Sequence, residues 1–240
     1  MLRYLKGFAL AWNMLTIIPL FKVHDFFKGI NGISAMFYPL VGFLIGGILY
    51  GIYIGVNAIF PPVHSAVLLF VLWVVLTGAL HLDGFSDCVD GLFVPKEKAL
   101  AVMKDSYVGG MGMILSVVFI LFKASSLIFL NDLLFLPLIL ALARLNAVIV
   151  IYLFPYISSG VGRLIKEELT FLHVAFALLY VGVWSFFMNS LWLVPLSLFF
   201  AISLAAFFQK RYGGLNGDMY GFIIETSELF LLNTLIVAVV

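Results

Sequence analysis

The feature that most constrains this chain is the stretch between Lys28 and Asp83, which contains no Asp, Glu, Lys or Arg. Pro61 and Pro62 interrupt it and end any helix there, so the stretch holds two apolar segments of spanning length. Of the 240 residues, 64% are hydrophobic and 10% are charged, whereas about a quarter are charged in a soluble domain. The chain is therefore predicted to be an integral membrane protein.

The predicted fold class is all-α: a polytopic helical bundle of about seven transmembrane helices, forming one membrane-embedded catalytic domain over residues 1–240. Helices are expected because lipid cannot satisfy an open sheet edge and because the alternation of a membrane β-barrel is absent from the sequence. Segment 7–21 is too short to span, which predicts a retained interfacial or re-entrant segment. The predicted spans are 33–56, 63–80, 109–130, 133–155, 171–188, 190–208 and 221–240.

The connections between these spans differ in charge. Those at 57–62, 131–132 and near Asn189 contain no Lys or Arg. Basic connections prefer the cytoplasmic side, so seven crossings from an inside N-terminus place all the basic connections in the cytoplasm. The basic residues in these connections are Lys22, Lys28, Lys96, Lys98, Lys104, Arg163, Lys166, Lys210 and Arg211.

Charge and cysteine content limit the partners. A net charge of +1 without a long basic stripe excludes nucleic acid, so the expected partners are the lipid bilayer and small-molecule substrates. Cys88 is the single cysteine, which excludes an internal disulfide. The oligomeric state stays open, a homo-oligomer included.

Three aspartates carry the strongest chemical signal. Asp83, Asp87 and Asp90 are spaced i, i+4 and i+7, which places them within about 60° of one another on a helix. Two such charges about 4 Å apart repel by about 4 kcal/mol at an effective dielectric of about 20, unless a cation lies between them. Oxygen ligands favour Mg²⁺ or Mn²⁺ over zinc. The alternative is a solvated acidic loop, and the nearby Gly84 and Gly91, which leave space beside the acids, favour the metal.

Two further segments are polar and glycine-rich. Lys104 and Asp105 precede a glycine-rich helix start at 109–112, which suits the binding of a phosphate. Considered without the other segments, this one is better interpreted as a plain interfacial loop. The segment 210–218 is basic at its start and ends at Asp218. Glu225 and Glu228 follow in an apolar run, where the cost of a buried charge predicts that they face the interior or a polar cavity, with interfacial helix capping as the alternative.

The predicted topology places these three segments on one face of the membrane. Together they predict a metal–diphosphate site, in which carboxylates hold Mg²⁺ and basic side chains neutralise the remaining phosphate charge. The expected chemistry is transfer of a phosphoryl-linked group from a diphosphate donor to a hydroxyl.

The same segments resemble the signature blocks of the cobalamin synthase family: TGALHLDGFSDCVDGLF at 77–93, MKDSYVGGMGMI at 103–114 and GGLNGDMYGFIIETSE at 213–228. NMLTIIP at 13–19 and YPLVG at 38–42 are similar to its opening segments, so the resemblance runs from about residue 8 to 230. The pattern departs at Ile17 and Tyr107, where basic residues are expected, and at Asn216, where Thr is expected.

The resemblance implies a multi-pass inner-membrane enzyme with its active site facing the cytoplasm. It implies a Mg²⁺-dependent transferase for substituted phosphate groups, acting late in cobalamin biosynthesis. The enzyme would join α-ribazole, or its 5′-phosphate, to adenosylcobinamide-GDP and release GMP. The choice of acceptor and the number of metal ions stay open.

On this hypothesis Asp83, Asp87, Asp90 and Asp218 are the candidate metal ligands, with Asp83 and Asp87 also counted as catalytic. His81 is the candidate base for the ribazole 5′-hydroxyl, since a neutral imidazole is a suitable base near neutral pH. The alternatives are that an aspartate is the base, or that His81 only hydrogen-bonds a carboxylate.

Four residues are the candidates for substrate binding. Lys104 and Arg144 are assigned to the diphosphate, and Asp105 and Glu225 complete the set. Because Arg144 lies within a predicted span, it is expected to pair internally, with Asp105 or Asp218 as the candidate partners.

Two other functions compete with this hypothesis. A CDP-alcohol phosphatidyltransferase also uses membrane aspartates and Mg²⁺, but its Asp-Gly-x-x-Ala-Arg pattern fails here after Asp83-Gly84. A carboxylate-coupled secondary transporter would be expected to show repeated halves and acids near the middle of the membrane. No such repeat is present, and the acids cluster at one predicted face.

Overall fold

The computed structural model describes residues 2–19, 26–105 and 107–238. Lys22, residues 20–21 of the predicted interfacial segment and the last two residues of the predicted span 221–240 lie outside these ranges. The described residues form an all-α fold, as predicted. Its helices are α1 (Leu2–Leu15), α2 (Ile30–Met36), α3 (Tyr38–Asn57), α4 (Pro62–Leu76), α5 (Leu80–Leu92), α6 (Lys96–Met103), α7 (Gly110–Phe129), α8 (Leu136–Leu153, after a 3-10 turn at Leu133–Phe135), α9 (Val161–Glu168), α10 (Phe171–Phe187), α11 (Leu193–Tyr212) and α12 (Gly217–Ala238).

Within the described part of the chain, five helical segments are long and apolar enough to cross a membrane: α3, α7, α8 with its preceding turn, α11 and α12. Two bent pairs, α4 with α5 and α9 with α10, raise the number to seven if each pair forms one broken span. The protein is therefore a multi-pass membrane protein. The helix α1 is not among these candidate spans, in agreement with the prediction that segment 7–21 does not cross.

Several predicted spans differ from the structure by a few residues at their ends; α11 ends at Tyr212 and α12 begins at Gly217, each four residues from the predicted bound. Two other differences change the path of the chain. The predicted span 63–80 ends at Leu76, because Gly78 (φ 62°) and Ala79 (φ 55°) adopt left-handed backbone conformations and α5 leaves at 84° to α4. The predicted span 33–56 is divided at Phe37, where α2 ends and α3 begins. The first difference matters for function, since it turns the aspartate helix out of the line of α4.

The core of the bundle is α8, of which 83% is buried among the other helices in its most apolar stretch. The helix α3 packs closely on it through Gly42 and Gly46. A Cβ added at Gly42 would lie 2.5 Å from the Leu140 carbonyl oxygen, and one at Gly46 would lie 2.6 Å from the Pro137 nitrogen. Small residues thus allow these two helix backbones to approach, as is common between membrane helices.

The aspartate helix α5 is held between α7 and α12. The Phe85 ring lies 4.3 Å from the Phe119 ring on α7 and 5.1 Å from the Phe222 ring on α12, measured between centroids. On the same side, Gly84 lies against the backbone of Asp218, where an added Cβ would be 3.0 Å from the Asp218 Cα. This packing places the carboxylates of α5 beside the first turn of α12.

Candidate active site

The structure brings together the three polar segments that the sequence predicted to share one face. Asp90 of the first segment accepts hydrogen bonds from the backbone N–H groups of Gly109 and Gly112 in the second, each at 2.7 Å. In the third, the Asn216 side-chain amide donates to Asp218 at 2.8 Å and also reaches the Met103 sulfur at 3.7 Å. The site is thus built from α5, the start of α7 and the start of α12.

A cavity of about 290 Å³ opens beside these segments. One side is polar and carries His81, Asp83 and Asp218. The rest of the wall is mostly apolar and comes from α1, α3, α5, α8, α9 and α12. Its apolar residues include Leu15, Ala147, Ile151, Ile165 and Ile224, all of them buried.

Three of the predicted metal ligands form a group of carboxylates here. Asp83 is exposed, whereas Asp87 and Asp218 are half-buried. The negative charges of Asp83 and Asp218, and then of Asp90, lie close enough to act on the Asp87 carboxyl group. Asp218 lies near the negative charge of Asp83 and the positive charge of Lys104. A cation would relieve the repulsion between these charges.

The donor chemistry of this carboxylate group fits Mg²⁺. In residues 2–19, 26–105 and 107–238, no three His, Cys, Asp or Glu side chains converge on a point where a metal ion would sit. Magnesium is usually bound by one or two carboxylates together with water and substrate phosphates, rather than by a cage of protein ligands. The arrangement therefore suits a metal ion that is held jointly by the protein and a diphosphate.

Asp90, the fourth predicted ligand, is engaged differently. It is buried, and both of its carboxylate oxygens accept backbone N–H groups at the start of α7. Such N–H groups lack partners within their own helix, and a carboxylate there also complements the helix dipole. Asp90 thus fastens α7 to α5, and its role as a metal ligand stays a prediction.

We expect Asp90→Asn to lower the stability of the protein more than its metal dependence. The amide loses one acceptor oxygen and the charge, which costs about 1–3 kcal/mol when a buried donor is left without a partner. Thermal unfolding in detergent measures the stability, and titration of activity with Mg²⁺ measures the apparent metal affinity. An unchanged melting temperature together with a large loss of Mg²⁺ affinity would show instead that Asp90 is a ligand.

His81, the candidate base, lies on the first turn of α5 and is buried. Its Nδ1 atom has no hydrogen-bond partner among the described residues. The backbone of His81 packs against Gly221 of α12, where an added Cβ would be 3.0 Å from the His81 carbonyl oxygen. The charged groups that act on the imidazole are Arg144, Glu228 and Lys123, and its Nδ1 atom has almost no accessible surface. The role of His81 as the base stays a prediction.

Beneath the cavity lies a buried charge cluster of four residues from three helices: Lys123, Arg144, Glu225 and Glu228. Lys123 pairs with Glu225 at 2.6 Å and also with Glu228, which in turn pairs with Arg144. All four side chains are at most 9% exposed. The prediction that Glu225 and Glu228 face the interior is therefore confirmed.

The predicted partners of Arg144 were wrong. Arg144 pairs with Glu228 rather than with Asp105 or Asp218. Glu228 lies ten residues beyond Asp218 on α12, about 15 Å along the helix axis, so Arg144 is too deep to reach the carboxylate group at the cavity. A direct role of Arg144 or Glu225 in substrate binding stays a prediction.

Lys123 was not among the predicted site residues, although its position inside an apolar span indicates a buried charge. A lysine in the middle of the predicted span 109–130 requires a buried partner, and the two glutamates of the last span are the available anions. The Lys123 ammonium also lies 4.3 Å from the centroid of the Trp73 ring. The sequence thus contains two cations and two anions inside three predicted apolar spans, and these four charges can neutralise one another.

The two remaining candidates, Lys104 and Asp105, are both exposed. Lys104 is close to Asp218, and Asp105 accepts the Tyr107 N–H at 3.2 Å.

Tyr156, which was not among the candidates, lies in the connection after α8 and is half-buried. Burial, and then the Asp218 charge, raise the pKa of its phenol, which therefore stays neutral.

Fold and site together define a class: a multi-pass membrane protein with a carboxylate group at a cavity on one end of its helical bundle. Residues 7–236 match the family model described as cobalamin-5-phosphate synthase, and the chain belongs to this family. The resemblance predicted from the three segments is thereby confirmed.

Several relatives carry the same name, adenosylcobinamide-GDP ribazoletransferase. The chain is 36% identical to one from Brevibacillus brevis, over 85% of this chain and 87% of that protein. It is 35% identical to one from Acinetobacter baumannii, over 96% and 97%, and 33% identical to one from Desulfitobacterium hafniense, over 93% of each. No solved structure matches the chain. The protein is thus an enzyme, a transferase of cobalamin synthesis, and neither the phosphatidyltransferase nor the transporter alternative is supported.

Proposed function

We propose that this protein is an adenosylcobinamide-GDP ribazoletransferase. A hydroxyl of α-ribazole, or of its 5′-phosphate, attacks the phosphorus that carries the cobinamide. The bond from that phosphorus to the bridging oxygen breaks, GMP leaves, and adenosylcobalamin or its 5′-phosphate is formed. Because the 5′-oxygen is blocked in one of the two acceptors, the nucleophile common to both is a ring hydroxyl of the ribose rather than the 5′-hydroxyl.

The observation that carries this proposal is the group of Asp83, Asp87 and Asp218 beside the cavity, in a chain of the cobalamin-5-phosphate synthase family. We assign this group to Mg²⁺, which one or two of its carboxylates would hold together with the diphosphate, since no three acidic, His or Cys side chains of the described residues converge on one point. When bound, the ion offsets the charge of the diphosphate and stabilises the negative charge on the departing GMP. Asp90 is left out of this set because both of its oxygens hold the start of α7.

Two further side chains have roles in the proposed reaction. Lys104, exposed beside Asp218, neutralises phosphate charge that the carboxylates do not reach. His81, which lines the cavity, is the proposed acceptor of the proton from the attacking hydroxyl. A carboxylate of the group is the alternative proton acceptor.

We further propose that the site faces the cytoplasm from the inner membrane. Lys104 lies at the site, and Arg211, at the end of α11, donates to the Leu92 carbonyl oxygen at the end of α5, 3.1 Å away. Lys210 is adjacent in sequence. This end of the bundle therefore carries the basic connections, which prefer the cytoplasmic side.

Purified protein in liposomes, given adenosylcobinamide-GDP, α-ribazole and Mg²⁺, is expected to release GMP and form cobalamin in equal amounts. Chelation with EDTA is expected to abolish both products, and added Mg²⁺ to restore them, because the carboxylates cannot bind the diphosphate without a cation. Chromatography of both products measures the reaction. Omission of α-ribazole is the control for hydrolysis. A folded preparation that makes neither product with either form of ribazole would contradict the assignment.

A further inference from the structure

A groove on the surface of the bundle adjoins the cavity of the candidate site. It lies between α1 and α9, is bordered by residues 26–31, and has a volume of about 480 Å³. The side chains of Met14 and Val161 line both the groove and the cavity. A molecule in the groove would therefore contact two side chains that also shape the site.

The groove faces the surface region of the membrane. The helix α9 lies at 92° to α10, so it runs along the membrane that α10 crosses. Val161 and Leu164 of α9 are 51% and 49% exposed, and Phe26, before α2, is 67% exposed, although all three are apolar side chains that line the groove. Helices that expose apolar side chains in the plane of a membrane bind at the boundary between lipid headgroups and acyl chains. An acyl chain is therefore the apolar material available to cover this groove.

The groove also carries a basic side chain, Lys28. It is exposed and forms no hydrogen bond or ion pair within the part of the chain that the structure describes. Glu168 lines the groove too, but its Oε2 atom accepts the backbone N–H of Asn31 at 2.8 Å and the side-chain amide of the same residue at 2.9 Å. The Arg3 guanidinium lies 5.3 Å from the centroid of the Phe27 ring, which also lines the groove. An apolar floor with basic side chains beside it suits an anionic lipid.

A second groove shows how the lipid-facing surface differs elsewhere. It lies on α10 beside Leu191, has a volume of about 430 Å³, and is lined in the described chain only by apolar side chains and Gly182. Such a surface accepts the acyl chains of any lipid and cannot select a headgroup. The groove between α1 and α9 is of similar size but includes Lys28. It can select an anionic headgroup, because the ammonium group of a zwitterionic one would repel the lysine.

We propose that the groove between α1 and α9 binds one anionic phospholipid, whose phosphate pairs with Lys28 and whose acyl chain lies on Leu10 and Leu164. The bound lipid restricts Met14 and Val161, which line the cavity, and so increases the rate of the reaction at low substrate concentration. The binding does not depend on the proposed function, whereas this effect on the rate rests on it.

Titration with phosphatidylglycerol, followed by native mass spectrometry of the full chain in detergent, counts the lipids that stay bound. We expect one phosphatidylglycerol to bind the wild type more tightly than phosphatidylcholine does. Lys28→Gln should weaken it about fivefold, the contribution of one lysine near an anionic lipid. Lys98→Gln, at an exposed position of α6, is the matched control and should leave the affinity unchanged. Equal affinities for the two lipids, or an equal loss in the two variants, would overturn the proposal.

The apolar part of the groove is tested with a second matched pair. Leu164→Ser removes an apolar side chain from this groove, and Leu179→Ser makes the same change in the groove on α10, where Leu179 is 64% exposed. We expect the first to weaken phosphatidylglycerol binding about fivefold and the second to have no effect. Displacement by soluble glycerol phosphate at comparable concentration would show a phosphate site that needs no acyl chain, and displacement by adenosylcobinamide-GDP would assign the groove to the substrate. Either result would contradict a lipid site.

The effect on the reaction is measured separately, in vesicles of phosphatidylcholine with and without phosphatidylglycerol. At substrate concentrations below KM, phosphatidylglycerol is expected to raise the rate of GMP release about fivefold in the wild type and in Lys98→Gln but not in Lys28→Gln. Equal rates in both kinds of vesicle would contradict the link through Met14 and Val161. If the wild type releases no GMP in either, the proposed function is contradicted, while the lipid titration still decides what the groove binds.

Discussion

Asp83→Asn is expected to lower the rate of GMP release at saturating substrates by about 10³-fold. The substitution keeps the size of the side chain but removes one of the three negative charges assigned to the metal. A metal ion stabilises the charge of a transferring phosphoryl group by several kcal/mol, and about 1.4 kcal/mol corresponds to tenfold in rate. Because Asp83 is exposed, the melting temperature should change little. Product chromatography and thermal unfolding, performed on the same preparation, measure the two effects.

The matched control is Asp132→Asn. Asp132 is exposed on the connection between α7 and α8, away from the start of α7, and its Oδ1 atom accepts the Leu134 N–H at 2.9 Å. An asparagine there can still accept this hydrogen bond, so activity and stability should be unchanged. Full Mg²⁺-dependent activity in Asp83→Asn would show that the metal is held by other residues and would contradict the central assignment.

The sequence was sufficient to predict the class of fold and the meeting of the three polar segments. Both follow from strong local signals: apolar stretches of spanning length, and acids next to glycines at the ends of those stretches. What could not be predicted is the bend between α4 and α5. Gly78 is a residue that favours a left-handed helix end, but the bend also depends on Ala79 adopting a left-handed conformation, which alanine rarely does.

The role of Asp90 shows a second limit of sequence spacing. The i, i+7 relation to Asp83 correctly placed the two on one helix, but it could not show what faces them. The N–H groups that Asp90 accepts belong to residues 19 and 22 positions later, at the start of another helix. Residue spacing shows which side chains share one face of a helix. Whether Asp90 binds a metal or caps the start of another helix depends on tertiary packing, which spacing does not show.

The pairing of Arg144 was misassigned for a related reason. The prediction matched the arginine to acids at the predicted active-site face without considering depth. Along α12 each residue rises about 1.5 Å, so Asp218 and Glu228 lie at different levels of the bundle. Had depth been counted, Lys123 and Arg144 in the spans would have matched Glu225 and Glu228, since charges inside a membrane pair with one another.

The buried charge cluster leads to the prediction with the largest effect on folding. Lys123→Met is expected to cost about 3–5 kcal/mol, because it leaves Glu225 and Glu228 buried with Arg144 as their remaining cation. For a chain of this size, about 2–4 °C per kcal/mol gives a fall in melting temperature of about 6–20 °C. Thermal unfolding in detergent measures it. Lys98→Met, at an exposed position of α6, is the control and should change the stability by less than about 0.5 kcal/mol.

The double variant Lys123→Met/Glu225→Gln tests whether the cost comes from uncompensated charge. It removes one cation and one anion, so Arg144 and Glu228 remain as a neutral pair. We expect the double variant to be more stable than Lys123→Met alone, because a buried charge without a partner costs more than an absent ion pair. If the two substitutions destabilise additively, the loss comes from packing around Lys123, including its contact with the Trp73 ring, and the charges do not act as a unit. Partial rescue would show that the four charges form one coupled group, which holds α7 and α8 against α12 directly beneath the carboxylates of the site.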